Sequence, residues 1–136
     1  MFTQKMVAVM NKALEPGVVM NALAHASLGL GARGGSTLLR LDTYVDKEGC
    51  EFSGISQMPF IILSANSNKI KNLYQWAKDN DILHVAFLDS MTGGGYKEQL
   101  AHCQERQCDN HVFYGIVMIG PEEKVNEATK KFSLWR

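Results

Sequence analysis

The sequence has 136 residues, 46% hydrophobic and 21% charged, the make-up of an ordinary globular domain rather than a disordered chain. Fourteen basic residues balance fourteen acidic ones, so no whole-molecule field draws in polyanions. No apolar run approaches the ~18 residues that cross a bilayer, and the opening Met1-Phe2-Thr3-Gln4-Lys5 lacks a signal peptide's apolar stretch. A cytoplasmic protein with no membrane partner is expected.

Residues 5–11 are short and apolar, as a buried central strand should be. Glu15-Pro16-Gly17 breaks this run, because proline fixes φ and glycine relieves steric limits. Residues 18–30 predict a helix whose Ala22, Ala24, Ala26 and Ser27 let it lie close to a sheet. Residues 29–36 predict the loop that ends it on a glycine cap. Residues 37–45 and 50–55 flank Asp46-Lys47-Glu48-Gly49 and predict a hairpin insert over about residues 37–55. A second strand covers 60–64.

Residues 66–79 predict the clearest helix. Ile70, Leu73, Tyr74 and Ala77 fall at i, i+3, i+4 and i+7, lysines take the other face, and Asn66 or Ser67 can cap it. A third strand follows at 82–88. Thr92-Gly93-Gly94-Gly95 then forms a flexible joint to a helix over 96–107, with Tyr96, Leu100 and Cys103 turned inward. Residues 112–119 predict the fourth strand. Gly120-Pro121-Glu122-Glu123 opens a last short helix whose acids complement its dipole. This alternation predicts an α/β domain over residues 1–136, with helices on both faces of a mostly parallel sheet.

The motifs exclude more than they identify. Gly29-x-Gly31-x-x-Gly34 spells the dinucleotide fingerprint, yet follows a predicted helix where the chemistry needs a strand before it and a helix after. Gly93-Gly94-Gly95 lacks the Lys-Ser/Thr pair of a phosphate loop. Three cysteines make an odd count, and His102-Cys103 with Cys108 and His111 lack structural zinc spacing. No disulfide framework, metal or cofactor is expected. Lys69, Lys71 and Lys78 on one helix, and Lys124, Lys130, Lys131 and Arg136 at the end, are candidate nucleic-acid patches or plain solvated faces. Ser27, Ser64 and Ser90 show no nucleophile elbow.

Two titratable residues are candidates for chemistry. His25 sits mid-helix among alanines and has the neutral pKa range of a general base. Asp89 ends the third strand, where open α/β sheets hold ligands. Asn21 and His25, four apart, share a helix face, and the Pro16-Gly17 turn aims backbone N–H groups at the same region. Pro16, Gly17 and Asn21 are therefore candidate ligand contacts, and Asp89 and His25 candidate catalytic groups.

Lys5-Met6-Val7-Ala8-Val9, the Pro-Gly loop, residues 21–26, Asp89 and residues 115–121 together resemble the second class of peptidyl-tRNA hydrolases. The chain is more similar still to a bacterial family of unknown function that shares this fold. That likeness includes Asp46-x-x-Gly49, Phe52-x-Gly54-Ile55, Gly120-Pro121, Val125-Asn126 and Leu134-x-Arg136, and spans nearly the whole chain. It implies three α-β-α layers around a mixed four-stranded sheet, one strand running antiparallel, often as a homodimer. The hydrolases' active site implies a lysine in a Gly-Lys-Gly-Lys loop, an aspartate after the third strand and a threonine beginning the last. Here the loop is about two residues shorter and the lysine position offers Val18. The family's helix glutamine becomes Ala22, and the threonine falls on Gly115. Only Asp89 survives of the charged or hydroxyl positions. Valine can neither hold a phosphate nor stabilise an oxyanion, and losing such a group typically costs about 10²–10³ in rate.

The expected function is a small-ligand-binding or regulatory module without the hydrolases' lysine. The alternative is a divergent peptidyl-tRNA hydrolase, or another ester or amide hydrolase, using Asp89 or His25 as base. Its partner is a small molecule in the first reading and tRNA in the second.

Overall fold

The apolar run after Lys5 forms β1 (Gln4–Asn11), buried from Met6 to its end. A strand buried on both faces belongs mid-sheet. In this computed structural model, which describes residues 2–136, β1 lies between β4 (Phe60–Ala65), parallel to it, and β6 (Phe113–Pro121), antiparallel to it. β5 (Leu83–Leu88) and the two-residue β7 (Ser133–Leu134) take the outer positions, in the order β5-β6-β1-β4-β7.

This mixed sheet corrects the expected four-stranded one. The fifth strand is β7, held by Trp135 N–H on the Ile62 carbonyl at 3.0 Å, and two residues give no periodicity to read. Among the described residues β1–β4 is the one parallel pairing of neighbours; β5 runs the same way as both, and β6 and β7 run against them. The connection from β5 to β6 stays at one end of the sheet, where the Asp89 N–H meets the Val112 carbonyl at 3.0 Å, so β6 must start there and run back.

Successive β1 side chains feed opposite faces, as strand geometry requires. α1 (Pro16–Leu39) packs Val19, Ala22, Ala26 and Leu30 against Met6, Ala8 and Met10. α2 (Ser67–Asp79) and α4 (Glu122–Thr129) cover the other face, with Ile70, Leu73, Ala77 and Val125 against Val7 and Val9. Asn66 caps α2 by accepting the Lys69 N–H at 2.9 Å. No helix of the described residues is long and apolar enough to cross a membrane.

α1 runs well past its predicted end. Gly29 and Gly34 were expected to break it, but they allow close approach instead: an added Cβ would stand 3.3 Å from Val85 Cγ2 and 3.4 Å from Leu83 Cδ2. Packing on β5 thus offsets a helix-propensity cost of about 1 kcal/mol per glycine. Helical geometry fails only at Gly35, with φ of 78°, and Arg40 then closes the helix in the left-handed region. The hairpin therefore starts later than expected, as β2 (Leu41–Val45) and β3 (Glu51–Ser56). Its turn is held by the Asp46 carboxylate, which accepts the N–H groups of Glu48 and Cys50 at 2.9 Å each, with Gly49 at φ 87°.

α3 (Tyr96–Gln104) is shorter than predicted, and Tyr96 and Leu100 face solvent rather than inward. This helix lies beyond the end of β5 and has no buried residue, so its apolar side chains find no sheet face beneath them. Of Tyr96, Leu100 and Cys103, the last alone is partly buried.

Candidate site at the carboxyl ends of the strands

Asn11 ends β1 as one of few buried polar residues. Its Nδ2 donates to the Phe113 carbonyl at 3.0 Å and its Oδ1 accepts the Ala13 N–H at 2.9 Å. The Phe113 N–H is taken by Ser67 Oγ at 2.9 Å. Side chains from β1 and α2 thus satisfy the backbone where β6 enters the sheet, which removes the cost of burying it unpaired. The floor of the site is thereby fixed.

Asp89 stands beside this floor, just past β5. Its carboxylate forms an ion pair with Arg106 and accepts the Val112 N–H at 3.2 Å. Arg106 in turn lies 2.7 Å from His102 Nε2. Partial burial is the largest single influence on the Asp89 carboxyl and would raise its pKa. The Arg106 hydrogen bond, the Val112 N–H, the Arg106 charge and the Ser90 N–H together outweigh it, so the carboxyl sits below its ordinary range. A general base works best with a pKa near the working pH, so this carboxylate is an anchor for Arg106 more than a proton acceptor.

The remaining candidates lie on α1. His25 is exposed on α1, its ring 5.7 Å from that of Phe87, and Asn21 is exposed one turn earlier. None of the hydrogen bonds of Asp89 reaches His25 or Asn21. At the start of α1, Val18 and Val19 both donate to the Glu15 carbonyl, at 3.0 and 3.1 Å. Proline has no N–H, so Gly17 retains the one free donor among residues 16–19, where a fuller cradle was expected. Gly115 faces Met10 across the β1–β6 ladder. A Cβ there would overlap Met10 Sδ and Cε and stand 3.3 Å from the Val9 carbonyl. The methionine fills the space a threonine would need.

Along the open edge of β5 lies a cavity of about 500 Å³, lined by Arg33, Tyr74, His84, Cys103 and His111 among others. Arg33 closes one side by donating to the His84 carbonyl at 2.7 Å. Cys103 faces this cavity while its neighbour His102 turns to Arg106, the divergence expected of adjacent helical residues.

Sequence reasoning missed Arg106 and Asn11. Arg106 is a lone arginine past a weak helix, with nothing to tie it to Asp89. Asn11 carried a usable signal, a polar residue closing a wholly apolar strand.

Residues 4–136 match the model of a family described as protein of unknown function (DUF2000). Among curated proteins none matches. The structure is similar to that of a protein of unknown function, Atu0240, from Agrobacterium tumefaciens strain C58. That similarity has a TM-score of 0.85 and 17% identity, and covers 100% of both chains. At this identity the likeness speaks for the fold alone.

Proposed function

We propose a role for this chain, which belongs to the DUF2000 family of proteins of unknown function: it is a small-ligand-binding or regulatory module. In this reading residues 1–136 form one domain that keeps the frame of a class II peptidyl-tRNA hydrolase without its chemistry. Pro16, Gly17, Asn21, His25 and Asp89 mark its binding region. The observation that carries the reading is the state of Asp89, the one charged position retained from the hydrolases. It is neutralised by Arg106 and held by Val112, so it does not serve as a free base. Met10 in the space beside Gly115, and Val18 in the first turn of α1, support the same conclusion.

The hydrolase alternative rests on His25, which is exposed and one helical turn from Asn21. Release of tRNA from a peptidyl-tRNA by purified protein separates the two. The module reading expects no release above that of the Asp89→Ala and His25→Ala variants. Robust turnover abolished by either substitution would replace it with the hydrolase.

A further inference from the structure

α1 leaves β1 for one face of the sheet and α2 leaves β4 for the other, although β1 and β4 are adjacent and parallel. Where connections part in this way, a crevice opens outside the carboxyl ends of the two strands. The Lys12 N–H donates to the Ala65 carbonyl at 3.0 Å, so the two strand ends stay together beneath it.

The crevice holds a cavity of about 90 Å³ lined by Lys12, Lys69 and Lys131, together with Asn66, Ser64 and Ser133. The three lysines come from the end of β1, the first turn of α2 and the segment after α4. No carboxylate lines the cavity. Among the described residues, Lys71 and Lys130 are paired with Asp109 and Glu127, whereas Lys12, Lys69 and Lys131 have no ion pair. Three ammonium groups around one small polar space repel each other until an anion joins them. The first turn of α2 adds its dipole in the same sense.

This cavity adjoins a larger one of about 510 Å³, which shares Lys69, Lys131 and Phe132 and adds Trp76. Its volume falls within the range of small-molecule sites. Its one lining carboxylate, Glu127, is already occupied by Lys130 at 2.7 Å. A cationic seat therefore opens onto a wider space bordered by two aromatic side chains.

We infer that this crevice binds a phosphate-bearing small molecule with a flat unsaturated ring, of mononucleotide size. The phosphate sits against Lys12, Lys69 and Lys131, and the ring lies along Trp76 and Phe132. The site uses neither Asp89 nor His25, so it stands independently of any hydrolytic activity.

The test uses Trp76 as the reporter, with Trp135→Phe removing the other tryptophan. Adenosine 5′-monophosphate should quench Trp76 saturably, and inorganic phosphate should compete with it without quenching. Adenosine, lacking the phosphate, should bind far more weakly. Each of Lys12→Ala, Lys69→Ala and Lys131→Ala should weaken nucleotide binding roughly tenfold, as loss of a charge-assisted hydrogen bond implies. The unliganded Tm should not fall, because all three lysines are exposed and removing one relieves repulsion among them. Titration calorimetry on the unaltered chain should give the same order of affinities. The inference is overturned by no binding of the nucleotide up to about 10 mM, or by equal binding to the triple lysine variant. Binding of a short RNA oligomer without binding of the mononucleotide would also overturn it, in favour of a nucleic-acid groove.

Discussion

Arg106→Ala removes one half of the ion pair that fixes Asp89, a pair whose side chains keep 25% and 18% of their accessible surface. Fully exposed pairs contribute about 0–1 kcal/mol, and stripping a partner from a sealed pair costs about 3–5 kcal/mol. Partial exposure discounts the upper figure, and the Val112 N–H still serves the carboxylate. The expected cost at pH 7 is therefore about 1.5–2 kcal/mol. At about 4 °C per kcal/mol for a chain of this length, Tm falls by about 6–8 °C.

The pH dependence follows from the lowered pKa of Asp89. A depressed carboxyl contributes stability that is fully present above its unfolded pKa of ~3.9 and is lost as pH falls through the folded value. The gap between the two proteins should therefore hold at neutral pH and close in acid. Urea unfolding followed by circular dichroism measures it, with Asp89→Asn and the double variant completing a cycle. That cycle separates the pair from the Arg106 contact with His102. The reasoning fails if the coupling at pH 7 is below ~0.3 kcal/mol, or if the gap does not narrow at all between about pH 5 and pH 2.

Gly115→Thr should destabilise by about 1–3 kcal/mol through overpacking against Met10. Met10→Ala alone should cost about 2–5 kcal/mol, and the double variant less than the sum. Strict additivity in urea midpoints would show that the two positions do not share space. Asn11→Ala removes the side-chain partner of the Phe113 carbonyl and of the Ala13 N–H, at a cost of about 1–3 kcal/mol. Faster hydrogen exchange at the Ala13 amide is the local readout, and an unchanged rate counts against the lock. Asn66→Ala should lose about 1 kcal/mol from the α2 cap, most of which Asn66→Ser restores. Thermal melts of the two variants decide this.

Local signals carried much of the fold. The α2 stripe of Ile70, Leu73 and Ala77 and the unbroken apolar face of β1 were readable, because each follows from a period or a run. The length of α1 was not, because a glycine that ends a helix and one that admits a neighbour look alike. Val85 and Leu83, which separate the two cases, lie about fifty residues away along the chain. The candidate site was legible only as single residues. Asp89 was visible at its strand end, but Arg106, which alters its chemistry, was not. Lys69 and Lys131 were read as parts of two surface patches and Lys12 as neither. The pairing of β1 with β4, and of β7 with β4, brings the three to one cavity.

The central place of β1 also governs the order in which the molecule is made. β1 leaves the ribosome ahead of both its neighbours: one flank of it waits for β4 and the other for β6, which begins at Phe113. Until β6 is made the nascent chain carries an apolar strand with an unfilled edge, the kind of surface that invites wrong pairings. Closure depends on pairing β1 with residues that follow it by more than a hundred positions, a long-range contact that forms late and slowly. A nascent chain stalled before Phe113 should remain a client of the chaperones that guard such edges.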